Sequence, residues 1–474
     1  MFEAVADGEL IEVMGEATRD ESTAIAHRLA AVAQLYVRRC GELAECQWWM
    51  ADHCDAVAAE IAAVQNISHS RAVAQVQFAC NLWHRLPQVA DVFVSGVIDY
   101  RLVSAIVSRT DNVEDAVIAQ VDEAIARHCP KWMKLSLPKL RDRIDLWVAK
   151  FDPAGVRVPA TVDDSRYVDI DPASAGMAFL SGHLHAADGA ALDQRLEALA
   201  ATVCERDPRT KAQRRADATG PLARGEATLA CRCGRQDCPA TAARDDATAA
   251  AAAVIHVLAE HATVEGTSNT PGYLPGFGIL PAESVRDLAP RAQLTPVGIP
   301  CGPPDPGYRP SALTRDFTRW RDLTCRWPGC DRPVARCELD HTVPYPAGFT
   351  HASDLKHYCG IHHLIKTFHQ GWAEQQLPDG TIILTAPTGH TYVSAAHGAA
   401  LFPTLGQSTG ELPTPQIQEP GGYRAVMMPR RTQTRAQNRR DRINTERRQR
   451  ADLIAEEERQ RQAWLAANYQ PPPF

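Results

Sequence analysis

Two short segments carry side chains spaced for metal binding. Cys325-Arg326-Trp327-Pro328-Gly329-Cys330 is a Cys-x4-Cys knuckle, and Cys359-Gly360-Ile361-His362 is a Cys-x2-His. Two ligand pairs on tight turns, ~30 residues apart, are how a chain assembles a tetrahedral Cys3His zinc site. Each short loop fixes two ligands at once, and the thiolates supply soft charge. Between the pairs lies Glu338-Leu339-Asp340-His341-Thr342-Val343-Pro344, and His363-Leu364-Ile365-Lys366 follows His362 directly. An Asp-His pair at a strand end, with a second His on a following helix, fits one-metal hydrolysis of a phosphodiester. Asp340 and His363 would bind a divalent cation such as Mg²⁺, and His341 would take a proton from the attacking water. The cation would stabilise the leaving oxyanion.

On these residues the segment resembles an HNH endonuclease domain, the ββα-metal fold in its zinc-stapled form. The resemblance implies His341 as the first histidine and His363 as the last, with an Asn nine residues before the last. This chain has Asp354 there, and no Asn anywhere from His341 to His363. The family's Asn orients the general-base histidine. An Asp can accept the same imidazole N–H bond and would raise the histidine pKa. The motifs Glu338-Leu339-Asp340-His341-Thr342-Val343-Pro344-Tyr345-Pro346-Ala347-Gly348, His362-His363-Leu364-Ile365-Lys366-Thr367-Phe368 and Pro387-Thr388-Gly389-His390-Thr391-Tyr392 extend the resemblance. With Arg209 to Ala218 and Cys231-Arg232-Cys233-Gly234, they are similar to the actinobacterial 13E12 repeat family. That family joins a helical N-terminal domain of unknown function to a C-terminal HNH domain. The resemblance implies a metal-dependent DNA endonuclease, linked to mobile or repeated elements. The rival implication is a non-catalytic zinc-stapled DNA-binding or interaction protein whose site has decayed at Asp354.

A second cysteine cluster is Cys231-Arg232-Cys233-Gly234-Arg235-Gln236-Asp237-Cys238. Three thiols in eight residues could hold a metal with a fourth ligand such as His256 or Cys204. A reduced, loop-rich turn explains them equally well. Cys337 reads as a small buried residue. Toward the C-terminus, residues 424–450 hold ten arginines against Asp441 and Glu446. Arg430, Arg431, Arg439 and Arg440 are therefore candidates for contacts to DNA phosphates, against the plainer reading of a solvated charged helix or disorder.

The remaining chain has to position these groups. Its 474 residues suggest several domains. With 45% hydrophobic and 23% charged residues it is neither wholly disordered nor collagen-like. The net charge of −7 excludes a basic nucleic-acid coat protein. Only seven of the 50 basic residues are lysine, a bias of genome composition rather than chemistry.

Periodicity predicts helices over Ala24–Cys40, Trp48–Val64, Ser70–Leu86, Ala116–Cys129 and Leu137–Phe151, with Ser68 or Ser70 as a cap and Pro87 as a stop. Arg166–Ile170 reads as a strand, His183–Glu205 as a helix, and Ala282–Leu288 as a short helix inside a connector. The expected class is mainly α and multi-domain. A helical domain spans 1–160, and a small α+β part with linker spans 161–300. The ββα-metal domain occupies 310–400, and a flexible linker with the Arg-rich tail covers 401–474. The helical domain is a candidate for a protein partner or self-association. The first residues lack a signal-peptide pattern, and the alanine-rich run Ala247–Ala259 is too short to span a bilayer. A cytoplasmic location without membrane contact follows as the expectation. In that reducing compartment clustered cysteines read as metal ligands rather than disulfides.

Overall fold

The computed structural model describes residues 2, 5–40, 44–158, 166–240, 256–413 and 427–468. Arg424 and residues 247–255 of the alanine-rich run lie outside them. The chain divides into two units, residues 1–159 with 296–474, and residues 160–295. The helical region and the Cys/His-rich region, read from sequence as separate domains, thus belong to one unit.

In that unit α1 (Asp7–Cys40), α2 (His53–Gln65), α3 (His69–Arg85), α4 (Pro87–Val94), α5 (Tyr100–Arg109), α6 (Ile118–His128) and α7 (Leu137–Phe151) surround one apolar core. Leu29, Ile61, Val76, Leu82, Phe93, Leu102, Ile106, Ile125, Leu140, Ile144 and Val148 fill it. Each such side chain contributes about 1.5–3 kcal/mol by leaving water. Buried Ala58, Ala62, Ala72 and Ala79 let α2 and α3 approach closely. α7 matches its predicted bounds, and Ser68 caps α3 through a bond from the Arg71 N–H. The helix predicted from Trp48 begins instead at His53, because the Asp52 carboxylate accepts from Asp55 N and Asp55 returns the bond in a capping box. Pro87 does end α3, but it also opens α4 at the first helical position, where its missing N–H costs nothing.

The 160–295 unit holds β1 (Tyr167–Pro172) paired antiparallel with β2 (Ala178–His183), then α8 (Ala186–Ala200), α9 (Lys211–Asp217), α10 (Thr219–Ala223) and α11 (His261–Val264). A minimal hairpin of β3 (Gly272–Leu274) and β4 (Gly278–Leu280) precedes α12 (Ala282–Leu288). The predicted helix from His183 starts later, because residues 178–183 are spent on the ladder from Pro172↔Ala178 to Tyr167↔His183.

Returning to the first unit, α13 (Ala312–Asp322) leads into β5 (Cys337–His341) and β6 (Leu355–Cys359), an antiparallel pair, and then α14 (Gly360–Phe368). A three-stranded sheet follows, β7 (Ala373–Gln376), β8 (Ile382–Thr385) and β9 (Thr391–Ser394), then α15 (His397–Leu401). This region shares a core with the helices. Trp327, Tyr358, Ile365, Ile382 and Leu384 pack with Ala51, Ala59 and Met428. A buried ionic cluster anchors it. Asp322 takes Arg321 Nε at 2.9 Å on one oxygen and the His357 backbone N–H at 2.9 Å on the other, while Arg321 also donates to Ala352 O and Leu355 O. Of the two readings of the Arg-rich tail, charged helix or disorder, the structure has the helix, α16 (Arg435–Asn468), 34 residues long. No described helix is long and apolar enough to cross a membrane.

Candidate metal centre and active site

The Cys3His set converges as its spacing requires. Cys359 ends β6 and precedes α14, so His362 falls in that helix's first turn, on the same side. Cys325 N bonds to Arg332 O and Cys330 N to Trp327 O, closing the knuckle. Gly329 makes the turn possible with φ +75°, and a Cβ there would lie 2.7 Å from Ile67 O. The ligand atoms of Cys325, Cys330, Cys359 and His362 all lie within 4.8 Å of one another. His362 Nδ1 is 3.4 Å from Cys325 Sγ and 3.3 Å from Cys359 Sγ. A tetrahedral ion with Zn–S near ~2.3 Å wants donor separations of ~3.8 Å, so the four residues fit a metal ion such as zinc.

The four donors titrate unequally. Burial pushes the Cys325 thiol well up, whereas hydrogen bonds from Cys325 and Cys330 hold Cys359 below the usual thiol range. Burial lowers His362 and keeps its imidazole neutral, as a ligand must be. Trp327 stacks on His362 at 4.7 Å, and His69 from α3 meets it edge-on at 4.9 Å. Cys337 is half-buried rather than buried. It faces Cys359 across the hairpin and lies outside the ligand set.

Asp340 and His363 meet as expected, with Asp340 Oδ1 3.4 Å from His363 Nε2. The other Asp340 oxygen carries Lys356 Nζ at 3.2 Å and Lys366 Nζ at 2.8 Å. Both lysines also pair with Glu374, so two carboxylates and two ammoniums balance. Burial pushes Asp340 up, but Lys356, His363 and Lys366 outweigh it and hold it well below the usual range. The Asp340 bond raises His363 above its ordinary value, aided by Glu338, whose carboxylate bonds His363 Nδ1. Both ring nitrogens of His363 face carboxylates, so a cation held by Asp340 and His363 would have to displace the proton between them.

His341 is nearly buried, and burial lowers its pKa. Thr350 Oγ1 donates to Gly307 O at 2.6 Å, so it accepts from His341 Nε2, 3.0 Å away. That fixes the tautomer and leaves Nδ1 as the acceptor. Tyr308 stacks on the ring at 5.3 Å.

Asp354 departs from its expected role, because it does not touch the His341 imidazole. Its Oδ1 takes the Val343 backbone N–H at 3.0 Å and its backbone O takes Thr342 N at 2.7 Å. Its Oδ2 is buried with no hydrogen-bond partner, and burial pushes the carboxyl up to about 7. Asp354 therefore pins the loop that follows His341, and Thr350 supplies the imidazole bond.

The four candidate arginines separate into two pairs. Arg431 donates to Trp49 O and Met50 O and pairs with Asp52, and Arg439 pairs with Asp111 at 2.6 Å. These two are committed to the helical region's acids, a correction to their reading as phosphate contacts. Arg430 and Arg440 are exposed.

Sequence reasoning missed Glu338, Thr350, Tyr308, Lys356, Lys366 and Glu374. Glu338 had a signal, since it lies two residues before Asp340 and thus on the same strand face. Lys366 had another, one helical turn after His363. Thr350, Tyr308, Lys356 and Glu374 arrive through tertiary packing. In the 160–295 unit, Cys204 is the fourth member that joins Cys231, Cys233 and Cys238, and His256 is not.

The family described as "Domain of unknown function (DUF222)" matches residues 16–322, ending just before Cys325. In Mycobacterium tuberculosis (strain ATCC 25618 / H37Rv), uncharacterized protein Rv2100 is 41% identical over 99% of this chain and 90% of its own length. Uncharacterized protein Rv3776 of the same strain is 40% identical over 98% of this chain and 94% of its own. No solved structure matches the chain.

Proposed function

The chain belongs to the DUF222 family, and from that premise we propose that its C-terminal region is a zinc-stapled HNH-type, ββα-metal nuclease. It would be akin to the 13E12 repeat proteins and hydrolyse DNA phosphodiester bonds in the cytoplasm. One observation carries the reading: strand, strand and helix follow in order, with Asp340-His341 ending β5 and Asp340 Oδ1 3.4 Å from His363 Nε2 on α14. In this reading zinc on Cys325, Cys330, Cys359 and His362 clamps β6 to α14. Asp340 and His363 hold the catalytic cation, which supplies charge stabilisation to the leaving oxyanion when bound. His341, neutral and with Nδ1 open as acceptor, takes the proton of the attacking water, while Thr350 keeps the ring in place. Asp354 holds the backbone after His341. When protonated, its carboxyl is close in shape to the Asn amide that the HNH pattern has there. Exposed Arg430 and Arg440 are the tail's remaining candidates for phosphate contact.

A specific observation favours the non-catalytic reading. Lys356 and Lys366 already neutralise one Asp340 oxygen, which lowers the site's attraction for a cation. Supercoiled plasmid incubated with the full chain and Mg²⁺, Mn²⁺ or Ni²⁺, or with EDTA, separates the two. The nuclease reading requires nicking that EDTA abolishes. DNA retention without nicking under every cation requires the binding-module reading.

A further inference from the structure

We propose that Cys204, Cys231, Cys233 and Cys238 form a second, four-thiolate zinc site that staples the loops around α8, α9 and α10. This site is separate from the proposed hydrolytic centre and stands on different residues. The four sulfurs lie within 4.8 Å of one another although the cysteines span 204–238. Cys204 Sγ and Cys231 Sγ are 3.5 Å apart, close to the ~3.8 Å edge of a tetrahedral Zn–S4 centre and far beyond the ~2.05 Å of a disulfide.

The surrounding backbone is arranged for thiolates. The backbone N–H groups of Arg206 and Arg235 lie near Cys204 Sγ and Cys233 Sγ and favour the thiolate form there. Each is a donor two residues on, which a knuckle turn aims at a thiolate. Gly234 makes the second turn with φ +71°, a conformation that a side chain would strain. The loops bearing Cys204 and Cys231 are also tied independently of the sulfurs. Asp207 Oδ2 takes Arg232 N at 2.8 Å, Arg209 donates to Ala230 O at 2.7 Å, and Leu229 N bonds Thr202 Oγ1 at 2.8 Å. Four thiolates around one divalent ion leave two negative charges, and the Arg235 guanidinium, paired with Asp237, sits in the loop between Cys233 and Cys238.

The chemistry selects one ion. Soft S4 donors in a tetrahedron suit Zn²⁺ or iron, and sulfurs this close together enclose a single ion rather than a cluster. Zinc also answers a stability need. α9 and α10 are one to two turns long, and the buried apolar residues around them, Leu199, Val203, Ala218 and Leu229, are few. A small core of that kind needs a staple.

The test uses the full chain, purified in reductant without chelator. Elemental analysis should give two zinc ions per chain, falling to one in Cys233→Ser and to one in Cys325→Ser. Native alkylation with N-ethylmaleimide, mapped by mass spectrometry, covers variants that fail to fold. Exposed Cys301 should react at once. Cys204, Cys231 and Cys233 should react at least tenfold more slowly, and at the Cys301 rate after the metal is displaced. A wild-type zinc content that Cys233→Ser leaves unchanged overturns the proposal. So does alkylation of these cysteines at the Cys301 rate before displacement, a Cys204–Cys231 disulfide, or iron in place of zinc.

Discussion

The two cysteine clusters present similar donors in opposite surroundings. Around His362 three of the four ligands are buried, and the cluster sits in a core shared with Ala51 and Ala59 of the helical region. Around Cys204 only Cys238 is buried, and the nearby apolar residues are few. The first ion would complete a structure that already has a hydrophobic core. The second would replace a core that the unit largely lacks. The same spacing logic thus serves two physical purposes, and each can be broken separately.

The largest effect should come from Cys359→Ser. It removes a buried donor between β6 and α14, so it should lose one zinc and cost more than ~3 kcal/mol in the 1–159/296–474 unit. Cys233→Ser should lose the other zinc and leave the thermal transition of that unit in place. Differential scanning calorimetry of the two variants reads the contrast, and a single shared transition lost in both would erase it.

Next in size is Asp354→Asn. The folded carboxyl is raised to about 7 by burial, above an unfolded value near ~3.9. An acid raised on folding binds more protons folded than unfolded between those values, so wild-type stability falls as pH rises from about 4 to about 7. The Asn variant should therefore be no more stable at pH 4 and more stable by up to ~4 kcal/mol at pH 8. Chemical denaturation at the two pH values measures this, and equal gains at both would refute the buried titration.

A smaller contrast lies in the knuckle glycines. Both have positive φ, but a Cβ at Gly329 meets Ile67 O at 2.7 Å and Ala62 O at 2.9 Å, while one at Gly234 meets nothing within 4 Å. Gly234→Ala should cost about 1 kcal/mol and Gly329→Ala about 2–3 kcal/mol. Equal costs in urea melts would mean that close packing against α2 and the loop after it is unimportant.

The smallest effect is Arg439→Ala. Its partner is Asp111 and the pair is partly exposed, so the loss should be under ~1 kcal/mol with DNA retention unchanged. Arg440→Ala should leave stability alone and weaken DNA retention. Reversed outcomes would return Arg439 to the phosphate-contact set.

What the sequence disclosed was local. Leu137–Phe151, the Ser68 cap and the paired ligand knuckles depend on residues within a few positions of one another, so their spacing was readable. Asp340-His341 on a strand end and His363 on a helix followed from the same local logic. What stayed hidden was decided at a distance. Thr350 reaches His341 because its loop folds back on Gly307, and Lys356 reaches Asp340 only through the strand register. Arg439 finds Asp111 from 328 positions away, and Arg431, Arg435, Arg442 and Arg447 likewise pair with acids of the helical region, so most of the described charge run is paired. β2 was missed because its pairing with β1, not its own pattern, keeps residues 178–183 out of α8. Asp354 stood at the expected position, yet its carboxyl turned to Val343 N–H, a choice that only the loop's backbone path could make.

The central claim is that Asp340, His341 and His363 form a working hydrolytic site, and plasmid nicking by wild type, His341→Ala and Asp354→Asn side by side tests it most directly. The account predicts EDTA-sensitive nicking by wild type and a loss of at least 100-fold in His341→Ala with zinc content unchanged. It also predicts the same acid limb, set by His341, for Asp354→Asn as for wild type, because Asp354 does not touch the imidazole. Silence of all three proteins from about pH 6 to about pH 9, a range that brackets histidine titration, with DNA still bound, would contradict it.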